Sequence, residues 1–231
     1  MGAGSQEAPA PALPSFATAA AELPSLAVIH DASDPSAKLP PGSDWIADFA
    51  RRRGLAFDHR PDEAWFRRWE PYDTIAPPSR YFNACTQTRS PGHIVVVEPW
   101  YAEDDGEPLG RALLAFATHP GLKRRAAMRV GEHFLTRVAF IESPPPPTVT
   151  VGDKLWDAHV TTFAASSLEA ATAFHPRLRK LLAGWGFKGH IELRAGGAVI
   201  HYAELQPRPE HYDRMFAIAQ EIVSYAVAYP R

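Results

Sequence analysis

Residues 189–205 read GHIELRAGGAVIHYAEL, and the fold turns on them. Apolar and polar residues alternate on both sides of a Gly-Gly pair, which is the period of a β-strand. The segment therefore reads as a hairpin with Gly196-Gly197 as a type I′ turn, because both central positions of that turn need positive φ. Paired outward from the turn, Ala195 faces Ala198 and Glu192 faces His201. One side of the ribbon then carries Ile191, Leu193, Ala195, Ala198, Ile200 and Tyr202. The other carries His190, Glu192, Arg194, Val199, His201 and Ala203. The first is expected to face the core and the second to face water, as in a sheet covered on one side. His190, Glu192 and His201 are the candidate metal ligands, since imidazole and carboxylate are zinc-binding groups. A shared face does not force them onto one centre, so a solvated polar face is the simpler reading.

The flanks of the hairpin support a mixed fold. Residues 208–229 read as a long amphipathic helix with Tyr212, Met215, Phe216, Ala219, Ile222, Val223 and Ala226 on one stripe. Upstream, SSLEAATAFHPRLRKLLAGWG reads as a helix opened by a Ser166/Glu169 capping box, split or kinked by Pro176 and ended by Gly184 or Gly186. HVTTFAA before it reads as a strand. Further back, His93–Ala102 and Gly110–His119 read as strands around the acidic turn EDDGEPL. The apolar run Ile94–Val97 suits a strand covered on both faces. His133–Ile141 is a further strand candidate, followed by a proline-rich loop at 143–148. Two short helices open the folded part. One has Ser43 as N-cap and Gly54 as C-cap, and the other carries Trp65, Phe66 and Trp69 and ends at Pro71.

Composition narrows the classes. The 231-residue chain is 45% hydrophobic, which is enough for a core, and its formal net charge of −2 supplies no field to attract nucleic acid or an anionic membrane. Its single cysteine, Cys85, allows no intrachain disulfide. Residues 1–40 are rich in Ala and Pro and read as a disordered leader, with a single domain over 41–231. No targeting signal and no apolar run of membrane-spanning length is found, so a cytoplasmic protein is expected.

Other chemistry-bearing residues have plain readings. Cys85 in NACTQT suits a small buried hydrophobe better than a nucleophile. Asp153, Asp157 and His159 in DKLWDAH suit a turn anchored by Trp156. The clusters Arg51–Arg53, Arg67-Arg68 and Lys123–Arg125 are balanced by acids and suit solvated helix faces. No phosphate-cradling loop, nucleophile elbow or His-Glu-x-x-His helix occurs. The order DKLWDAHVTTFAASS, FHPRLRKLL, Gly-turn hairpin and closing helix resembles that of uncharacterised bacterial domains of unknown function. The resemblance covers the last third of the chain and implies a small α+β unit of the same order.

The expectation is thus an α+β fold with an antiparallel sheet of about six or seven strands. The C-terminal helix and the Ser166 helix cover one face, and the two early helices lie at an edge or on the far face. The functional expectation is a non-catalytic protein that binds a protein partner, with no cofactor. The alternative is a cup for a small apolar ligand, its pocket lined by Trp100, Phe116, Phe140 and Phe216. A third reading is a metal-dependent enzyme built on His190, Glu192 and His201.

Overall fold

The computed structural model describes residues 38–101, 110–133 and 146–228. The leader before residue 38, the acidic turn at 103–109, most of the expected strand at 133–141 and the start of the proline loop lie outside them. The described elements run α1 (Ser43–Arg53), β1 (Ala56–Asp58), α2 (Glu63–Arg67), β2 (Arg80–Arg89), β3 (Gly92–Trp100), β4 (Leu114–Thr118) and β5 (Ala126–Val130). They continue with β6 (Thr148–Val149), α3 (Lys154–His159), β7 (Thr161–Phe163), α4 (Ser167–Ala173), α5 (Pro176–Gly184), β8 (Gly189–Arg194), β9 (Gly197–Tyr202) and α6 (Pro209–Val227). The strands form one antiparallel sheet in the order β1-β2-β3-β4-β9-β8-β5-β7-β6. This is the α+β fold expected, with nine strands rather than six or seven. β1 falls within LAFDH, which reads as a short strand, whereas β2, β5 and the two-residue edge piece β6 are additional.

The β8–β9 hairpin has the expected faces but a different register. His190 pairs with His201, Glu192 with Val199 and Arg194 with Gly197, so the turn is Ala195-Gly196. A displacement of two residues leaves every side chain on its assigned side, because the side-chain period is also two. Gly196 takes the positive φ of the turn, at 84°. Gly197 serves close approach instead, since a Cβ there would overlap the indole ring of Trp69.

One face carries Ile94, Val96, Ala115, Ala117, Ala126, Met128, Ile191, Leu193, Ala198 and Ile200, all in the main core. Helices α1, α4, α5 and α6 supply the other half of that core, through Phe49, Ala170, Leu178 and Met215 among others. The first helix therefore lies on the α6 side, with Phe49 and Tyr212 rings 6.3 Å apart. Its N-cap is Gly42 rather than Ser43, whose hydroxyl instead donates to Pro40 O at 2.7 Å. Gly54 closes the helix in a left-handed conformation, as expected. The Ser166 cap is present, and the helix it opens ends before Pro176 begins the next one. Asn83, at a bulge in β2 with φ 54°, ties the layers together. Its amide donates to Ser43 Oγ and to Glu98, and its carbonyl accepts from Tyr212.

The opposite face is also covered. Helix α2 and the strap that follows it, Arg68–Ser79, cross over β4, β9 and β8. Phe116 on β4 sits within 6.3 Å, ring centre to ring centre, of Trp65, Phe66, Trp69, Tyr72 and Tyr81. Such tilted and edge-on contacts add to the burial of large apolar rings. If Gly197 is small so that Trp69 can lie on the sheet, Gly197→Ala is expected to cost about 1–3 kcal/mol by overpacking. Urea unfolding checks this, and a variant as stable as the parent would contradict it.

Candidate functional site

Among the described residues, two places stand out as candidate sites. The first is the strap-covered face of β8. His190, Glu192 and His201 have no accessible surface and Arg194 is 5% exposed, so the solvated-face expectation is corrected: the strap takes the place of water. Arg194 donates to the carbonyls of Trp69 and Pro71, each at 2.6 Å, and is ion-paired with Glu192. Glu192 accepts the backbone N–H of Asp73 at 2.8 Å. Asp73 in turn pairs with Arg125 at 2.8 Å. Burial alone would raise the Glu192 carboxyl. The neighbouring His190 ring, the Arg194 charge and the Asp73 amide outweigh it and hold the group below its ordinary value. Burial and the Glu192 charge push Asp73 the other way.

The histidines complete this layer. His190 Nδ1 is hydrogen-bonded to the Thr74 hydroxyl, and its Nε2 lies 3.6 Å from Glu192 Oε2. His201 Nδ1 donates to Leu113 O at 3.0 Å, while its Nε2 has no hydrogen-bond partner among the described residues. The His133 ring lies 4.4 Å from that of His201. Burial and the neighbouring His133 and His190 push the His201 imidazole down to about 3, so it is neutral at physiological pH. Among the described residues no group of three His, Cys, Asp or Glu side chains is placed to hold a metal ion. Thr74, His190 and Glu192 have the order of a proton relay. Thr74 is buried with them, so a substrate has no approach to its hydroxyl in this arrangement.

Cys85 is fully buried, and burial pushes its thiol up to about 12, which leaves it protonated and unreactive. Asp153 and Asp157 are helix-start residues. Asp153 caps α3, and Asp157 accepts the backbone N–H groups of Val151, Gly152 and Asp153. The expected turn is thus a short helix, with Trp156 as its buried anchor donating to Thr162.

That helix forms one wall of the second place, an open groove of about 740 Å³ on the helix-covered side. It is lined by Met128 and Val130 of β5, by residues of α3 and α5, and by Phe187 in the loop before β8. Most of its surface is apolar, and Leu155, 79% exposed, stands at its edge. Its volume lies within the ~300–1,000 Å³ of small-molecule sites. It is not the pocket anticipated from sequence. Phe116 is enclosed by the aromatic cluster, Phe216 lies in the main core and Phe140 falls outside the described residues. Its lining comes from β5, α3, α5 and two loops, so no local motif marks it. The clue available was the exposed Leu155 beside buried Trp156.

Two variants separate anchoring from chemistry on the β8 face. Arg194→Met leaves Glu192 buried without its ion-pair partner and is expected to cost about 3–5 kcal/mol, with Arg194→Met/Glu192→Met costing less. Urea unfolding of both checks this, and equal losses would contradict it. His201 supplies a pH signature. Above pH 6.5 the ring is neutral in both states, whereas below it the unfolded chain takes up a proton that the folded ring refuses until about 3. Stability should therefore fall as pH drops from 6.5 toward about 5, by up to ~1.4 kcal/mol per unit from this group. His201→Gln should flatten the slope in urea titrations across that window.

No family model matches the chain, and no curated protein matches it at a significant level. Among solved structures, it is similar to the crystal structure of the mycobacterial trehalose monomycolate transport factor A, TtfA, with a TM-score of 0.54 over 83% of this chain and 96% of that one. The identity is 7%, so the likeness is one of fold. No helix among the described residues is long and apolar enough to cross a membrane.

Proposed function

We propose that the protein is a non-catalytic binding protein for a small apolar ligand, held in the groove between α3 and α5. The observation that carries this reading is the groove itself: about 740 Å³, mainly apolar, and open on the side away from the strap. Apolar burial supplies roughly 25 cal/mol per Å², so a chain-like ligand seated along Val130, Leu155 and Val160 gains affinity without a catalytic group. His190 and Glu192 of β8 hold the strap, His201 of β9 bonds Leu113 O and Cys85 is protonated, which supports a non-catalytic reading. The fold shared with a protein named as a transport factor is compatible with a binding role and supplies no ligand.

Binding to a protein partner is the second reading. It would use the exposed Trp45, Leu155 and Leu168. These stand on three different helices, and isolated apolar side chains are ordinary on protein surfaces. The concave site favours the small ligand.

The test is titration with N-phenyl-1-naphthylamine, a neutral dye that fluoresces in apolar surroundings. Saturable binding at one dye per chain is expected. Ala183 is exposed on α5 and lines the groove, so Ala183→Phe should fill it and weaken binding by about tenfold or more, some 1.4 kcal/mol. Dye binding that is absent, or unchanged in Ala183→Phe, would overturn the reading.

A further inference from the structure

We infer that the groove's ligand is a single-chain amphiphile with an anionic head, its tail along the apolar base and its head at Lys180 and Lys188. This rests on the binding role proposed above and specifies the ligand class. The charges around the groove are one-sided. Asp153 is the acidic residue of its lining, and its carboxylate is already paired with Arg179 at 3.2 Å. Arg179 is further committed to the carbonyl of Phe174 at 2.7 Å. Lys180 on α5 and Lys188 in the loop before β8 both line the groove, both are exposed, and neither has an ion-pair partner among the described residues. The ion pair cancels, leaving two ammonium groups beside an apolar cleft.

Lysine suits this task. Its flexible stem packs along apolar surface while the ammonium stays hydrated at the mouth. A carboxylate or phosphate head placed there gains charge-assisted hydrogen bonds without losing all of its water. A neutral apolar ligand would fill the same cleft but leave both ammonium groups unused. A polar ligand without a tail would leave Val130, Leu155 and Val160 uncovered.

The experiment compares cis-parinaric acid with its methyl ester, two fluorescent chains that differ in head charge. The acid is expected to bind about three- to tenfold more tightly, the sum of two solvent-exposed ion pairs. Lys180→Gln/Lys188→Gln should bring the acid down to the ester's affinity and leave the ester unchanged, which also reports that the variant is folded. Raised salt should weaken the acid alone. Acid and ester binding equally, or an acid preference that survives in the double variant, would overturn the head-group assignment while the binding role stands. Neither probe binding would overturn the role and the assignment together.

Discussion

A carboxylate and a guanidinium buried on β8 set the terms for the rest of the molecule. Glu192 and Arg194 are removed from water on a sheet face, and such charges are tolerated only when paired and fully hydrogen-bonded. The strap supplies what is missing: carbonyls of Trp69 and Pro71 for Arg194, and the Asp73 amide for Glu192. Once the strap is held there, Trp69 rests on Gly197 and the ring cluster closes around Phe116. The sheet is then covered on both faces, and the described space suited to a ligand is displaced to the helix side, where α3 and α5 stand apart over β5.

The division of labour between the two faces follows. The strap side holds most of the residues a chemist would notice, and it uses them for architecture. Neutral His201, ionised Glu192 and the Thr74–His190 hydrogen bond form a buried polar layer, with Asp73 Oδ2, His190 Nε2 and His201 Nε2 left without hydrogen-bond partners among the described residues. Such layers favour one arrangement of a segment that lacks regular structure of its own. The helix side holds few polar groups and offers shape and a positive edge.

The sequence made some of this visible and hid the rest for physical reasons. The two faces of the β8–β9 ribbon were readable because alternation survives a register shift of two. The register was not, because either glycine of the pair could make the turn, and Gly197 is needed for the approach of Trp69. The burial of His190 was hidden because what covers it is an aperiodic strap, and that of His201 because Leu113 and His133 reach it from distant parts of the chain. Pro71, Asp73 and Thr74 read as a surface loop until Arg194 is placed beneath them. The α6 stripe and the break at Pro176 were clear from spacing and from proline's missing N–H. Helix α3 was missed because six residues that follow Asp153 and contain Asp157 carry the signature of a turn as much as of a capped helix. The groove depends on that helix, so its location could not be read before the fold was known.

Hydrogen exchange with and without cis-parinaric acid tests the central claim most directly, because it reads both faces at once. Slowed exchange confined to residues 154–160 and 176–188, with the Asp73 amide slow and unchanged, is the result this account requires. Protection that appears instead across residues 69–76 and β8 would place the ligand under the strap and contradict it.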